Sequence, residues 1–451
     1  MENSLAVSAD ILSYLAEFMH DKEYLFFALV SIGWKEAWGQ HRPKETAAVT
    51  QDTTVSRLSW SFQCGLGRTG RSGSCHVTMC ARIAALGRLD LLQCARENGT
   101  PWDEITCSCA AEAGNLEVLQ WARSNGCPWN ADTCQAAAFE GRLGVLQWAR
   151  LNGCPWDSST CSYAAWGGHL DVLQWAWSNG CPDGDETCSF AAKDGHLEIL
   201  QWARANGFFW DQYTCYNAAR GGHLDVLQWA WSNDCPWDEL TCSGAAEGGH
   251  LAVLQWAWSN GCSWDETTCS SAAMGGHLEV LQWARSNGCP WDGETCGKAA
   301  RFGHLDALEW ARSTGCPLSM DICCVAATHG FHDILRWARF NGCAWDEMTC
   351  SKAAAGGHLG ILQWARSNGC PWDESTCSGS ALGGHLDALR WARSKGCPWD
   401  KTTCYNAAAG DHLDVLQWAR SHGCPWDVES VLRSSCQRMD VIDYVLSNRH
   451  P

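Results

Sequence analysis

Ser162–Asn179 reads SYAAWGGHLDVLQWAWSN, and 27 residues later Ser189–Asn206 reads SFAAKDGHLEILQWARAN. Another step of 27 reaches Tyr216–Asn233, YNAARGGHLDVLQWAWSN. The tryptophan of this block recurs at Trp121, Trp148, Trp175, Trp202, Trp229 and onward to Trp418 with no insertion or deletion. Cys94 holds the slot one period earlier, and Tyr444 holds it after Trp418, one residue short. The chain thus carries thirteen full copies and a degenerate last one. A fixed period of this size means a stacked solenoid, in which each unit buries its apolar face only against its neighbours.

Each unit reads as two helices. Asp157, Asp211, Asp238, Asp265, Asp292, Asp346, Asp373 and Asp400 each stand three residues before a Thr. Their carboxylates suit the free amides and the positive end of a helix start. The short helix runs T-C-x-x-A-A, and paired Ala such as Ala164-Ala165 and Ala218-Ala219 let backbones approach closely. A G-G-H or x-G-H turn follows. The second helix, L-D-V-L-Q-W-A-R, is apolar at Leu170, Val172, Leu173, Trp175 and Ala176, wide enough to sit between two neighbours. Arg123, Arg150 and Arg204 complement its negative end, and Asn-Gly then stops it.

Composition sets bounds on function. The chain has 451 residues, 46% hydrophobic and 18% charged, which is a folding composition. Of its 30 Trp, 23 fall in two fixed repeat slots. The net charge of −18 repels phosphate, so neither nucleic acid nor an anionic membrane surface is an expected partner. No run of 18 apolar residues marks a membrane span. The first residues, MENSLAVSAD, lack the basic and apolar pattern of a secretory leader. A cytoplasmic or nuclear location, with reduced thiols, is the expectation.

A-A-x-x-G-H-L-x-V-L followed by N-G resembles the ankyrin repeat, whose second helix aligns without gaps. That family's unit is 33 residues and this one is 27; the missing residues fall between W-D and T-C, where ankyrin repeats carry a β-hairpin. The resemblance implies an all-α solenoid of stacked helix–turn–helix repeats without full β-hairpins. It also implies a protein-binding scaffold and not an enzyme, with no cofactor and a monomeric state.

Residues 1–40 do not repeat. Ile11, Leu12, Leu15 and Phe18 have helical spacing, K-E-Y-L-F-F-A-L-V follows, and Trp34 and Trp38 close the stretch. Forty residues bury too little to stand alone. The segment resembles the F-box, the module that docks on the linker subunit of cullin-type ubiquitin ligases, although Val7-Ser8 stands where that family carries Leu-Pro. The resemblance implies a linker contact through Ile11, Leu12, Leu15, Phe18, Leu25, Leu29 and Trp34. The other reading is a helical cap on the solenoid. Residues 41–75 read as a linker or cap, and the repeat array occupies 76–451.

Three recurring residue types carry candidate chemistry. G-C-P-W-D-x-x-T-C places Cys127 and Cys134, Cys154 and Cys161, and Cys289 and Cys296 seven apart. Two thiols do not complete a tetrahedral zinc site. Equivalent Cys in successive units stand about 10 Å apart at ordinary helix spacing, too far for a bridge. Thr100, Phe208 and Val431 interrupt the two Cys rows, which would orphan Cys107, Cys215 and Cys424 in a covalent framework. A small buried hydrophobe is therefore the expected role. His169, His196, His223, His250, His277, His304 and their successors form a second row, but Asn115, Arg142 and Phe331 fill the same slot. Bracing of the turn suits that tolerance better than metal binding. A metal-binding or redox-sensitive Cys/His array is the alternative function. The Trp of L-Q-W, such as Trp229, is expected in the core, and that of P-W-D, such as Trp156 or Trp237, at a more open edge.

What changes between copies is not dictated by the fold. The slot before Ala-Ala and the slot after it carry Tyr163, Trp166, Phe190, Lys193, Asn217, Arg220, Glu247, Met274, Lys298 and Arg301. In ankyrin-like stacks the short helices line the concave face, so this mixed aromatic and charged strip is the expected binding surface for a protein partner. Aromatic and Arg side chains are the types that dominate such surfaces.

Overall fold

Thr241 shows how the repeat starts. Asp238 holds an extended backbone and its carboxylate accepts the amide of Leu240, so the helix Glu239–Glu247 begins there. The same bond is made by Asp157, Asp211, Asp265, Asp292, Asp373 and Asp400, and by Asn130 in the position of an Asp. Asp103 and Asp346 hold the same place but make no side-chain bond of this kind. The repeat at Cys181–Lys193 departs further: Gly184 lies within its loop and the helix starts late, at Thr187.

A computed structural model describes residues 78–434 and 439–448. The segments 1–40 and 41–75, with the F-box-like residues Ile11 to Trp34, lie outside the described residues. Among the described residues every regular element is an α-helix, in fourteen successive pairs, each a leading helix and a trailing helix. No strand occurs among them. Over the described residues the protein is thus an all-α solenoid of stacked helix–turn–helix units, without the ankyrin β-hairpin.

The pairs fall into two units divided between Trp210 and Asp211. In the first, five pairs run from Met79–Ala85 to Leu197–Ala205; in the second, nine pairs run from Gln212–Gly221 to Met439–Ser447. Within each unit leading helices pack on leading helices: Ser158–Trp166 lies between Ala131–Phe139 and Thr187–Lys193, and Glu239–Glu247 lies between Gln212–Gly221 and Glu266–Gly275. The Ala pairs allow this, since Ala164, Ala165, Ala245 and Ala246 are wholly buried. The approach is close enough that a Cβ on Gly244 would come within 2.8 Å of the Tyr216 carbonyl. Each trailing helix buries one stripe, as Val172, Leu173 and Ala176 do in Leu170–Ser178. A Leu so buried contributes about 1.5–3 kcal/mol.

The trailing helix ends as the Asn-Gly signal requires. Gly153 adopts φ +81°, and the amides of Gly153 and Cys154 return to the carbonyls of Arg150 and Ala149. The Arg one turn earlier closes the end: Arg123 donates 2.8 Å to the Cys127 carbonyl, and its guanidinium lies 4.5 Å above the Trp129 ring. The same cation–π contact recurs in Arg150 over Trp156, Arg204 over Trp210 and Arg285 over Trp291.

Two expectations are corrected here. Trp229 is half-buried, as are Trp156 and Trp237, so the two Trp rows do not divide into core and edge. They meet each other instead: Trp156 and Trp175 are edge-to-face at 5.9 Å, and Trp237 and Trp256 are tilted at the same distance. The Cys rows also pair differently. A thiol of T-C meets the thiol of the next G-C-P, twenty residues later and not seven, as in Cys107 with Cys127 and Cys404 with Cys424. The loop brings the later Cys back onto the start of the same leading helix, where its Sγ donates to the capping carbonyl: Cys127 to Asp103 at 3.4 Å, Cys262 to Asp238 at 3.2 Å. Cys107 and Cys424 are therefore not orphans.

Candidate functional site

The candidate strip is built by register. Where a leading helix buries its Ala pair, as Ser158–Trp166 does with Ala164 and Ala165, the residues immediately before and after the pair are left half-buried. In the first unit this brings four rings together. Phe139 lies edge-to-face on Trp166 at 5.2 Å and on Tyr163 at 6.2 Å. Tyr163 stacks on Trp166 at 5.8 Å, and Trp166 meets Phe190 at 5.2 Å. The Lys193 ammonium sits 4.8 Å from the Trp166 ring. All of these side chains are half-buried, so the row is packed along its base and open to solvent above.

In the second unit the strip is polar. Arg220 pairs with Glu247 at 2.7 Å, and the Tyr216 hydroxyl donates to the same carboxylate at 2.9 Å. Burial, and then that carboxylate, raise the Tyr216 pKa above the ordinary phenol value. Tyr213, half exposed, lies edge-to-face on Tyr216 at 6.4 Å. Asn217, Met274 and Lys298 are half-buried on their leading helices, and Arg301 is exposed. The ring cluster does not extend to these last four.

Phe139 and Tyr216 belong to the site and are not among the residues expected from sequence. Phe139 holds the Trp166 slot one period earlier, so the repeat register itself marks it. Tyr216 stands one position before the Asn217 slot, and no repeat signal marks it.

The His row fixes the backbone beneath these side chains. His196 Nε2 donates 3.1 Å to the Trp166 carbonyl, His277 to that of Glu247 at 3.1 Å, and His304 to that of Met274 at 3.0 Å. His250 bonds the Arg220 carbonyl, and its pKa is lowered chiefly by burial. Asn115 makes the equivalent bond to Ala85 at 3.0 Å and a second to Ala84 at 2.9 Å, and Arg142 bonds Glu112 at 3.2 Å. Each ring also lies against the glycine of the preceding turn: Gly249 has φ +78°, and a Cβ there would come within 2.5 Å of His277. The carbonyls of Trp166, Arg220, Glu247 and Met274 are thus held while the side chains in their slot vary.

Among the described residues no group of three or more His, Cys, Asp or Glu stands close enough to hold a metal ion. The cysteines among them form no disulfide. No helix among them is long and apolar enough to cross a membrane.

A family model described as ankyrin repeats (many copies) matches residues 188–230. No curated protein matches the chain in sequence. Among solved structures, the ankyrin repeat domain of human ASB11 is 17% identical, covers 35% of this chain and 84% of its own, and superposes with a TM-score of 0.30. The pentatricopeptide repeat protein PPR10 in complex with an 18-nt psaJ RNA element is 14% identical, covering 98% of this chain and 79% of its own at a TM-score of 0.33. A structure of PPR10 from maize is 13% identical, covering 98% and 88% at 0.26. None of these likenesses says what this chain binds. The chain is an all-α array of tandem helical repeats that resembles ankyrin repeats.

Proposed function

We propose that this protein is a non-enzymatic interaction scaffold that grips a partner polypeptide through the outward face of its leading helices. The observation that carries the reading is the Phe139–Tyr163–Trp166–Phe190 row, four adjoining rings left half open, with the Trp166 carbonyl held by His196 of the next repeat. Rings so placed offer large contact area at low ordering cost. The net charge of −18 supports a protein partner over nucleic acid. The domain division of 1–40, 41–75 and 76–451, and a cytoplasmic or nuclear site of action, belong to the same reading. Its finer form makes residues 1–40 an F-box and the whole chain a substrate-recruiting adaptor of a cullin-type ubiquitin ligase.

Affinity capture with the intact protein, with Y163S/W166Q/F190S and with a chain lacking residues 1–40 tests both levels. The triple variant is expected to lose polypeptides that the intact protein retains, at an unchanged far-ultraviolet circular dichroism spectrum. The truncated chain is expected to keep those and lose the ligase linker subunit. Retention of every partner by the triple variant would reject the strip; absence of the linker subunit from the intact protein would reject the adaptor.

A further inference from the structure

The Arg that ends each trailing helix is replaced by Trp177, Trp231 and Trp258 in three repeats. Where the P-W-D indole is present, as at Trp291, this Arg lies over it and donates to a loop carbonyl: Arg285 sits 4.5 Å from the Trp291 ring and donates to Cys289 at 2.9 Å. A Trp cannot make the guanidinium bond. Trp258 stacks instead on Trp264 at 5.5 Å and meets Trp283 edge-on at 5.8 Å; Trp231 meets Trp237 and Trp256, each at 5.8 Å. Both rings remain open, Trp231 39% and Trp258 40% exposed. They occupy the same position in successive repeats of the second unit, at the loop end of the helix pair, and the leading-helix strip lies toward the turn end.

The surrounding sequence has an unusual charge. No Lys or Arg stands between Arg220 and Arg285, whereas eight Asp and Glu do, among them the exposed Asp234, Glu239 and Glu266. The cation that the fold uses on these indoles elsewhere is withdrawn where carboxylates are left in excess.

We infer that Trp231 and Trp258 form a second docking surface, separate from the proposed strip, for a basic polypeptide segment whose cations take the place of the missing arginines. An open indole beside carboxylates attracts a guanidinium or ammonium by its ring face and by charge together. Helices of successive repeats stand about 8–10 Å apart, and an extended strand advances about 3.3 Å per residue. The segment that fits is therefore extended, with Arg or Lys about every third residue.

The test uses the full chain and a labelled twelve-residue peptide, Arg-Gly-Ser repeated four times, in a fluorescence-anisotropy titration. W231R/W258R restores the arrangement of the neighbouring repeats and so keeps the fold, while W231Q/W258Q removes the rings without adding charge. M320R/F340R adds the same two charges at residues 96% and 92% exposed elsewhere. Both Trp double variants are expected to weaken binding about tenfold, and M320R/F340R to stay near the parent protein. Parent-like affinity in W231Q/W258Q, or equal losses in W231R/W258R and M320R/F340R, would overturn the inference, since charge alone would then explain the binding. A dimer by light scattering that W231R/W258R converts to monomer would assign the surface to a second copy and overturn it as well.

Discussion

The Nε2 atom of His277 lies 3.1 Å from the carbonyl oxygen of Glu247, thirty residues earlier and one repeat away. The bond caps the C-terminal turn of one leading helix from the turn of the next, and the ring fills the space over Gly249. His277→Ala removes both and is expected to destabilise the stack by about 1–2 kcal/mol. His277→Asn is expected to recover most of that loss, because Asn115 makes the equivalent bond to Ala85. Urea unfolding of the three proteins checks the order.

Most of the fold is legible in the sequence because each local signal answers one geometric need of the unit. Asp at the helix start, the buried Ala pair, the left-handed Gly and the trailing Arg can each be read without knowing the others, and they agree. The contacts between repeats are less so. The spacing of Cys127 and Cys134 in the chain hides the meeting of Cys107 with Cys127, which depends on the loop folding back on its own helix. Trp229 reads as interior by periodicity but is half-buried; trailing-helix indoles such as Trp175 reach the edge and pair with the P-W-D ring. Tyr163, Trp166 and Phe190 are visible as variation in a fixed slot; Tyr216 is not, since its bond to Glu247 spans two repeats at different slots.

The thiols form a second testable pattern. Cys109 and Cys324 alone are partly exposed among the cysteines of the described residues. Brief alkylation of the native protein followed by peptide mass spectrometry is expected to label these two and spare Cys80, Cys134 and Cys323. Rapid labelling of the buried rows would favour the redox-sensitive array instead.

Stability should also fall in alkali. Burial raises Cys80 from 9.0 to about 11, and burial followed by the neighbouring Cys343 raises Cys323 from 9.0 to about 12. A thiol whose folded pKa is raised holds its proton longer in the fold than in the open chain. Its contribution is intact below pH 9.0 and is lost as the pH climbs toward the folded value. Thermal melts are expected to be flat with respect to these thiols at neutral pH and to drop above pH 9.0; a melting temperature that rises over that interval contradicts the assignment.

Arg285 combines two roles at one helix end, the ring contact with Trp291 and the bond to the Cys289 carbonyl. Arg285→Ala should cost about 1–2 kcal/mol. Arg285→Lys should restore only part, since an ammonium cannot lie flat on the indole while donating along the helix axis. Full rescue by Lys, measured as an unchanged urea midpoint, would mean that charge at the helix end is the whole effect.

Asp234 takes the place of the glycine that follows Asn in other repeats, and it keeps the left-handed backbone at φ +62°. A side chain there carries a conformational penalty that glycine avoids. At the equivalent Gly207 and Gly261 no atom lies within 4 Å of where a Cβ would stand, so the Asp side chain meets open space and the penalty arises in the backbone alone. Asp234→Gly is therefore expected to stabilise the protein by about 1 kcal/mol. The gain should appear as a higher urea midpoint with an unchanged slope, because the folded surface is the same. Asp234 also lies in the cation-free stretch beside Trp231, so the same variant is expected to bind the basic peptide slightly less well. Greater stability together with weaker binding would identify Asp234 as a residue that serves the surface and strains the turn, and a stability loss would show that its carboxylate holds the turn closed.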